Sequence, residues 1–435
     1  MRVSSLRKHY PKFGALLALL FFASSNAHAR LGVDLGYSLR MTARTAFHLR
    51  SPDLAMNRYW VEGEQTVKLG GWSAVLGGRA YAESAFAFNS RYSAMAVGAN
   101  ESQEFAPRDI YLQYKGNGLQ LRVGNQQVVW GESYGFFFAD VVNPKDTREG
   151  GLGGDLAAQR IAIPMVNLLW FTGNFSLQGI FIPKPFLNLS PSIGSDFAVP
   201  FASLFPSATV TISDERILDM GLNTAEFGFR GSTIIQGWDM ALFYFNYFDR
   251  RPSYRPQVNG SNITLRGVHD PIQSFGLTAT KDLDTWVARA EVLYTKSRPV
   301  DAYLPGNFYS LLSDEVVAVV GFDYTQWREW HLSLQLAQDS YLSAVPGSFT
   351  PQHSTNLSVV LGGTLFRNHE FNLILGYSPN DGGSLTQVSY MIPVSSRLEA
   401  TFGAYLFEGG SGSQYGAFGR ANRAFVQLKG YFGGA

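Results

Sequence analysis

The sequence predicts an all-β chain, a transmembrane antiparallel β-barrel of about 18 strands whose third long loop folds inward. Three observations predict it. Polar and apolar residues alternate with period two along most of the chain. The segments so defined are joined by connections that are short on one rim and mostly long on the other, as in outer-membrane barrels with the short rim periplasmic. Tryptophans gather at the short connections, where amphipathic indole rings meet a membrane interface. Composition agrees: 46% of the 435 residues are hydrophobic, 14% aromatic and only 16% charged, against about 25% charged in soluble domains. A net charge of +1 leaves no basic field for nucleic acid, and the absence of cysteine excludes disulfides and thiolate metal sites.

The chain starts with basic residues (Arg2, Arg7, Lys8, Lys12), an apolar run from Phe13 to Ala23, and the small-x-small triplet Ala27-His28-Ala29. That is the pattern of a secretory signal, so residues 1–29 are expected to be removed and the mature chain to begin near Arg30. No later stretch approaches the roughly 18 uninterrupted apolar residues of a helical span. No linker, charge block or composition shift divides residues 30–435, which are read as one barrel domain.

Strands are expected to start near residues 33, 58, 73, 107, 118, 159, 174, 217, 236, 272, 285, 315, 331, 355, 370, 384, 397 and 421. If the segment near 33 or 384 is misread, the count falls to about sixteen. In the second, Arg58, Trp60, Glu62, Glu64, Thr66 and Lys68 share one face and Tyr59, Val61, Val67 and Leu69 the other. The same split recurs at Asp109, Gln113 and Lys115 against Ile110, Leu112 and Tyr114, and at Arg289 and Glu291 against Val292 and Tyr294. Short connections are read at Gly70 to Trp72, Lys115 to Gly118, Thr172 to Asn174, Gly231 to Gln236, Asp282 to Asp284, Trp327 to Trp330, Arg367 to His369 and Pro393 to Ser396. The longer ones cover 50–57, 89–106, 130–158, 183–216, 249–271, 298–314, 342–354, 379–383 and 408–420. Trp72, Trp170, Trp238, Trp286, Trp327 and Trp330 sit at or beside the short turns, while Trp60 lies at the other end of its strand. The last strand alternates Ala424, Val426, Leu428, Gly430 and Phe432 with Phe425, Gln427, Lys429 and Tyr431, similar to the signal read by the bacterial barrel-assembly machinery.

The third long loop contains Trp130, Glu132, Tyr134, Phe136, Phe137 and Phe138, followed by Asp140, Asp146, Arg148 and Arg160. Consecutive phenylalanines exposed to water would be a liability, so the aromatic stretch is expected to pack in the lumen. The charges would then form a salt-bridged shelf, and these residues with Arg122 and Gln126 would make the pore constriction. The alternative is that the aromatics cap the barrel top. Residues 183–216 are rich in proline and carry Phe186, Phe197, Phe201, Leu204 and Phe205, which either pack on the inward loop or line an apolar route for solutes.

The stretch "RVGNQQVVWGESYGFFFADVVNPKD", with "RIAIPMVNLLWF", "FSLQGIFIPKP" and "GSDF" after it, resembles an uncharacterised proteobacterial outer-membrane β-barrel family, a domain of unknown function distantly related to the alginate-export porins. The shared pattern is Gly124, Gln126, Val128, Trp130, Gly131 and Glu132, then Asn143, Pro144 and Asp146, and it covers residues 105–200. The resemblance implies transport across the outer membrane of a Gram-negative bacterium. It also implies a periplasmic partner and an inner-membrane exporter of the resistance-nodulation-division class, often near genes for hydrophobic substrates. No site residues come with it.

Enzyme chemistry has no footing in the pattern. His48, His269, His331, His353 and His369 lack zinc-ligand spacing, no G-x-S-x-G is present, and "GGLGGDL" at Gly150 to Leu156 lacks a βαβ setting. Asp140, Asp146, Glu149 and Asp155 stand close to Lys145, Arg148 and Arg160, which favours ion pairs over calcium. The wall is expected to present Arg40, Arg44, Arg58, Glu62, Glu64, Lys68, Arg79, Glu83, Arg230, Arg289 and Glu291 to the lumen. This is mixed charge rather than the continuous basic lining suited to a polyanion. The expectation is a cofactor-free channel for small, apolar or weakly acidic solutes. Its surroundings would be outer-membrane lipid and lipopolysaccharide. The alternative is a non-conducting component that docks an export system through its short turns.

Overall fold

Alternation pays off only when one face of each strand meets lipid and the other meets the interior, which requires every strand to be hydrogen-bonded on both edges. The computed structural model describes residues 34–434 except 52, 90–91, 93–96, 98–100, 132–137, 151–158, 193, 199–208, 214–221, 260–261, 305–306 and 367. The strands are β1 (Asp34–His48), β2 (Leu54–Leu69), β3 (Trp72–Glu83), β4 (Gln103–Gly116), β5 (Leu119–Gln126), β6 (Ile163–Thr172) and β7 (Phe175–Ile182). They continue as β8 (Thr209–Ser213), β9 (Glu226–Ile235), β10 (Trp238–Phe248), β11 (Ser253–Asn259), β12 (Asn262–Val268), β13 (Pro271–Asp282) and β14 (Trp286–Leu304). The last are β15 (Asn307–Tyr324), β16 (Trp330–Tyr341), β17 (His353–Leu365), β18 (His369–Ser378), β19 (Gly383–Ser395), β20 (Leu398–Glu408) and β21 (Arg423–Gly434). Eighteen form one antiparallel sheet, which closes where β1 pairs with both β2 and β21. β8, β11 and β12 form a separate three-stranded sheet, with β12 antiparallel to β11 and parallel to β8.

The predicted faces are observed. Tyr59, Val61, Leu112 and Val292 are exposed on the outside, while Arg58 and Glu291 are buried on the inside. Two of the tightest turns explain themselves. Asn117 and Gly118 have φ of 51° and 73°, and Gln236 and Gly237 have 51° and 78°, the doubly left-handed pair that matches the twist of a two-residue hairpin. Around the short-turn rim Trp72 lies 5.0 Å from Tyr114, Trp286 4.9 Å from Tyr324, and Lys281 sits 5.1 Å over Trp238. The strand count is 18 and not sixteen, with β1 and β19 both in the wall.

Three expectations are corrected. The eighth wall strand, expected near 217 with a turn from Gly231 to Gln236, is β9, which begins at Glu226 and runs through that glycine to Ile235. Its glycines make room for bulky neighbours: a Cβ on Gly228 would lie 2.7 Å from the Trp130 ring. The loop expected at 298–314 is instead the upper part of the β14–β15 hairpin, where Val300 pairs with Leu311 and Ala302 with Tyr309. A register shift between Thr295 and Arg298, with Ser297 at φ 56°, breaks the alternation there and disguises the strand. The segments 249–271 and 183–216, expected to be irregular, contain the β11–β12 hairpin and β8.

The wall is uneven. β5 and β7 have 8 residues each whereas β14 has 19. At about 3.3 Å per residue, those lengths are roughly 26 Å and 63 Å before tilt, against an apolar band of about 25 Å. The two longest connections leave from the short strands β5 and β7.

Candidate functional site

The segment after β5 turns into the barrel instead of continuing the wall. Asn143 holds its two arms together: its amide donates to Gln126 O (3.0 Å) and Ile161 O (2.8 Å), and its Oδ1 accepts from Val128 N (2.7 Å). These bonds stand in for the ladder that a longer strand would have supplied. Trp130, 1% exposed, packs 5.0 Å from Phe243 and 5.7 Å from Phe245. Its indole N–H donates to Gln178 (2.9 Å), Gln178 donates to Asn167 (2.9 Å), and Asn167 donates to Gln126 (3.1 Å). A buried indole thus finds its partner through a chain of amides running across β7, β6 and β5.

Beyond Trp130 the segment reaches both sides of the lumen. Phe138, Val141 and Val142 belong to an apolar cluster with inward side chains of β10, β14, β15 and β16, among them Leu293, Val317 and Ala337. Asp140 accepts from Arg160 (2.7 Å) and stands 3.8 Å from Lys145. Arg148 is bound to Asp146 (2.6 Å), to Glu104 and to the Tyr81 hydroxyl (3.0 Å), and Glu149 to Arg58, which also pairs with Glu83 (3.2 Å). These last partners lie on β2, β3 and β4, across the barrel from β14 and β15 in the strand order. Residues of the second long segment complete the shelf, since Asn188 accepts from Lys145 N (2.8 Å) and Leu189 N donates to Lys145 O (3.0 Å). Phe197 packs on Phe407 and Phe418, at 5.9 Å from each, and also against Gly150 of the inward segment, where an added Cβ would lie 2.5 Å from its ring.

The electrostatics follow the pairing. Burial works against the charged form of Asp146, but the Arg148 guanidinium holds its carboxyl below the ordinary aspartate value. Burial likewise opposes ionisation of Glu149, and Arg58 then Arg44 hold it down. Burial leaves the Lys145 ammonium below its usual value despite Asp140.

Of the residues expected at the constriction, the structure brings together Gln126, Trp130, Phe138, Asp140, Asp146, Arg148 and Arg160 on this segment and its base. Arg122 lies on the wall, bonded to Gln113 (2.6 Å) and 5.1 Å over Tyr111. Glu132, Tyr134, Phe136 and Phe137 lie outside the described residues, as does Asp155. On the wall Arg40 pairs with Glu62, Arg44 bonds Gln427 (2.6 Å) and stacks on Trp60 (5.5 Å), and Arg289 pairs with Asp323 (2.7 Å). Glu64 and Lys68 are exposed, Lys68 lying 3.9 Å from Asp34. Glu291 is buried.

Sequence reasoning missed two clusters. On the tall wall Arg250 binds both oxygens of Glu226 (2.8 and 2.7 Å), Arg298 binds Asp249 (2.7 Å) and Glu315, and Arg251 binds Glu315 (3.0 Å). Burial opposes ionisation of Asp249, yet Arg298 and Arg251 bring its pKa down to about 2. The only signal was "FDRRP" at Phe248 to Pro252, charge directly after an apolar strand. In the second cluster Asp196 accepts from Tyr92 (3.0 Å) and Arg423 (3.2 Å) and lies 2.8 Å from His48, which ties the "GSDF" stretch to the β1–β21 seam.

Residues 47–372 match the profile of a family described as "Protein of unknown function (DUF1302)". No curated protein matches the sequence. Among solved structures the chain is similar to Pseudomonas aeruginosa OccK8 (OprE), with 11% identity and a TM-score of 0.52 over 92% of this chain and 98% of that one. It is also similar to Acinetobacter baumannii OccAB3 (10% identity, TM-score 0.49, 92% and 99% covered) and to Salmonella typhi OmpF in complex with daunomycin (10%, 0.46, 92% and 97%). The likeness to OccK8 is one of fold, the closed antiparallel barrel of outer-membrane porins.

Proposed function

From the premise that the chain belongs to the DUF1302 family and is a porin-like barrel of the Gram-negative outer membrane, we propose that it is a channel for small, apolar or weakly acidic solutes, narrowed by the segment 130–158. The observation that carries this reading is the double anchorage of that segment. Phe138 and Val142 pack toward β14–β16, and Arg148 and Glu149 are ion-paired to β2–β4. A chain fixed at both walls of a barrel divides the cross-section that a solute must pass. The apolar cluster on one side and the mixed charges on the other give the passage surfaces for a partly apolar solute and no continuous path for a polyanion.

The test is planar-bilayer conductance of the refolded barrel, residues 30–435, with and without residues 134–149. The deletion should raise single-channel current, and R148M should shift it in the same direction. An unchanged current on deletion refutes the narrowing. Silence from a fully folded, heat-modifiable barrel refutes the channel and favours a component that docks a periplasmic partner or exporter.

A further inference from the structure

A cavity of about 260 Å³ lies between the inward segment and the tall wall, just below the usual range of about 300–1,000 Å³ for small-molecule sites. Phe138, Val141, Leu293 and Val317 give it an apolar side. Four cations (Lys145, Arg250, Arg251, Arg298) and four carboxylates (Asp140, Asp249, Glu315, Asp339) line the rest, so its formal charge is balanced.

Most of these charges are already engaged. Arg250 is closed by both Glu226 oxygens and by the carbonyls of Phe186 (2.7 Å) and Val142 (3.1 Å). Arg298 is closed by Asp249 and Glu315, and Asp140 is ion-paired through Oδ2 to Arg160 and Lys145, with Oδ1 unpartnered among the described residues. Two groups differ. The Arg251 side chain is 52% exposed and makes a single bond, from Nη2 to Glu315, leaving Nε and Nη1 without partners among the described residues. It also lines a second cavity of about 220 Å³, together with Tyr254, Phe308, Tyr341 and Phe349, and so stands where the two spaces meet. Asp339 is the one carboxylate lining this cavity with no ion-pair partner among the described residues, and its Oδ1, like that of Asp140, accepts no hydrogen bond there.

We propose that the first of these cavities forms a binding site for a small zwitterion of the amino-acid type with an apolar side chain. Its carboxylate takes the open edge of Arg251, its ammonium takes Asp339, and its side chain lies against Phe138, Val141, Leu293 and Val317. A simple anion would add negative charge to a cavity whose carboxylates already match its cations, and a simple cation would leave the open edge of Arg251 unmet. A zwitterion meets both groups and keeps the balance. The inference rests on the channel reading only for the solute's way in.

Calorimetric titration of the folded, detergent-solubilised barrel with L-phenylalanine, 3-phenylpropionate and phenethylamine tests it, because the last two probes each lack one charge. Phenylalanine should bind at least about tenfold tighter than either, as expected for a hydrogen bond to a charged group. D339N should remove its advantage over phenylpropionate, and R251M its advantage over phenethylamine. R251K, which keeps the charge but not the planar edge, should also weaken phenylalanine and serves if R251M misfolds. Equal affinities for the three probes, no binding of phenylalanine at millimolar concentration, or unchanged affinity in both D339N and the arginine variant overturns the site. Conductance of the same preparation separates the two readings. A conducting barrel that binds no phenylalanine sinks the site alone, and a silent barrel that binds it sinks the channel while the site stands.

Discussion

Replacing Arg148 by methionine should release the inward segment from one wall. The guanidinium holds Asp146 at 2.6 and 2.8 Å, Tyr81 at 3.0 Å, and Glu104. Without it, among the described residues, Asp146 keeps only Arg79, at 3.8 Å, and Glu104 loses its cation. Arg148 is 10% exposed and its two carboxylate partners 18% and 22%, so the lower end of the buried-pair range applies, about 3 kcal/mol for leaving one partner uncompensated. That is a factor of more than about 100 in local opening. Amide hydrogen exchange in the folded barrel reads it directly. The amides of Asp146, Thr147 and Leu189, bonded to Gln159, Leu189 and Lys145, should lose protection by that factor, while those of β14 and β15 keep theirs. Replacing the whole set, in the triple variant E104Q/D146N/R148M, should restore most of the protection, because no charge is then stranded. Equal protection in R148M and the unmodified protein, or a triple variant as labile as R148M, would refute the reasoning.

Other perturbations have equally definite outcomes. G228V places side-chain carbon against Trp130 and Phe245, whose atoms already lie within 2.7 and 2.8 Å of a Cβ there. It should cost about 1–3 kcal/mol in denaturant stability and alter tryptophan fluorescence, and an unchanged midpoint would count against the Trp130 anchor. Asp249 has its carboxyl pKa lowered from 3.8 to about 2. A depressed acid contributes stability above its unfolded pKa and loses it as pH falls through the folded value. About 2 kcal/mol should therefore disappear between about pH 4 and pH 2. D249N should be less stable than the unmodified protein at pH 7 and flatter over that interval, and parallel curves would contradict the assignment. Lipids brominated near the headgroup should quench Trp72, Trp170 and Trp327, which are exposed at the short-turn rim. Trp130, 1% exposed, should be spared in a variant retaining it alone.

What the sequence made legible and what it hid have separate physical causes. Wall strands announce themselves because lipid and lumen impose opposite demands on successive residues, and Asn117-Gly118 and Gln236-Gly237 end strands with backbone that few other pairs adopt. The inward packing of Trp130 and Phe138 was also legible, as apolar side chains with nowhere else to go, while Tyr134, Phe136 and Phe137 lie outside the described residues. β9 was misplaced because its glycines, which seat Trp130 and neighbouring rings, look like turn residues. The upper β14–β15 hairpin was hidden by one bulge at Ser297, and with it the place of Arg298 and Glu315 in the lumen cluster. His48 and Asp196 lie 148 positions apart, and no local pattern signals such a contact.

Those hidden elements share one geometric origin, the uneven height of the wall. β5 and β7 stop after 8 residues each, level with the ends of β6 at Ile163 and β9 at Glu226, while β4 extends beyond β5 to Gln103. Asn143 and the amide chain from Trp130 through Gln178 and Asn167 to Gln126 satisfy polar groups around that break. On the far side β14 and β15 continue for 19 and 18 residues and raise Arg298 and Glu315 to face the cations and carboxylates that follow β10. A short wall therefore supplies the segment that crosses the lumen, and a tall wall supplies the surface it meets. The cavity with its half-open Arg251 and its Asp339 lies at that meeting, and no single strand or loop of the sequence contains it.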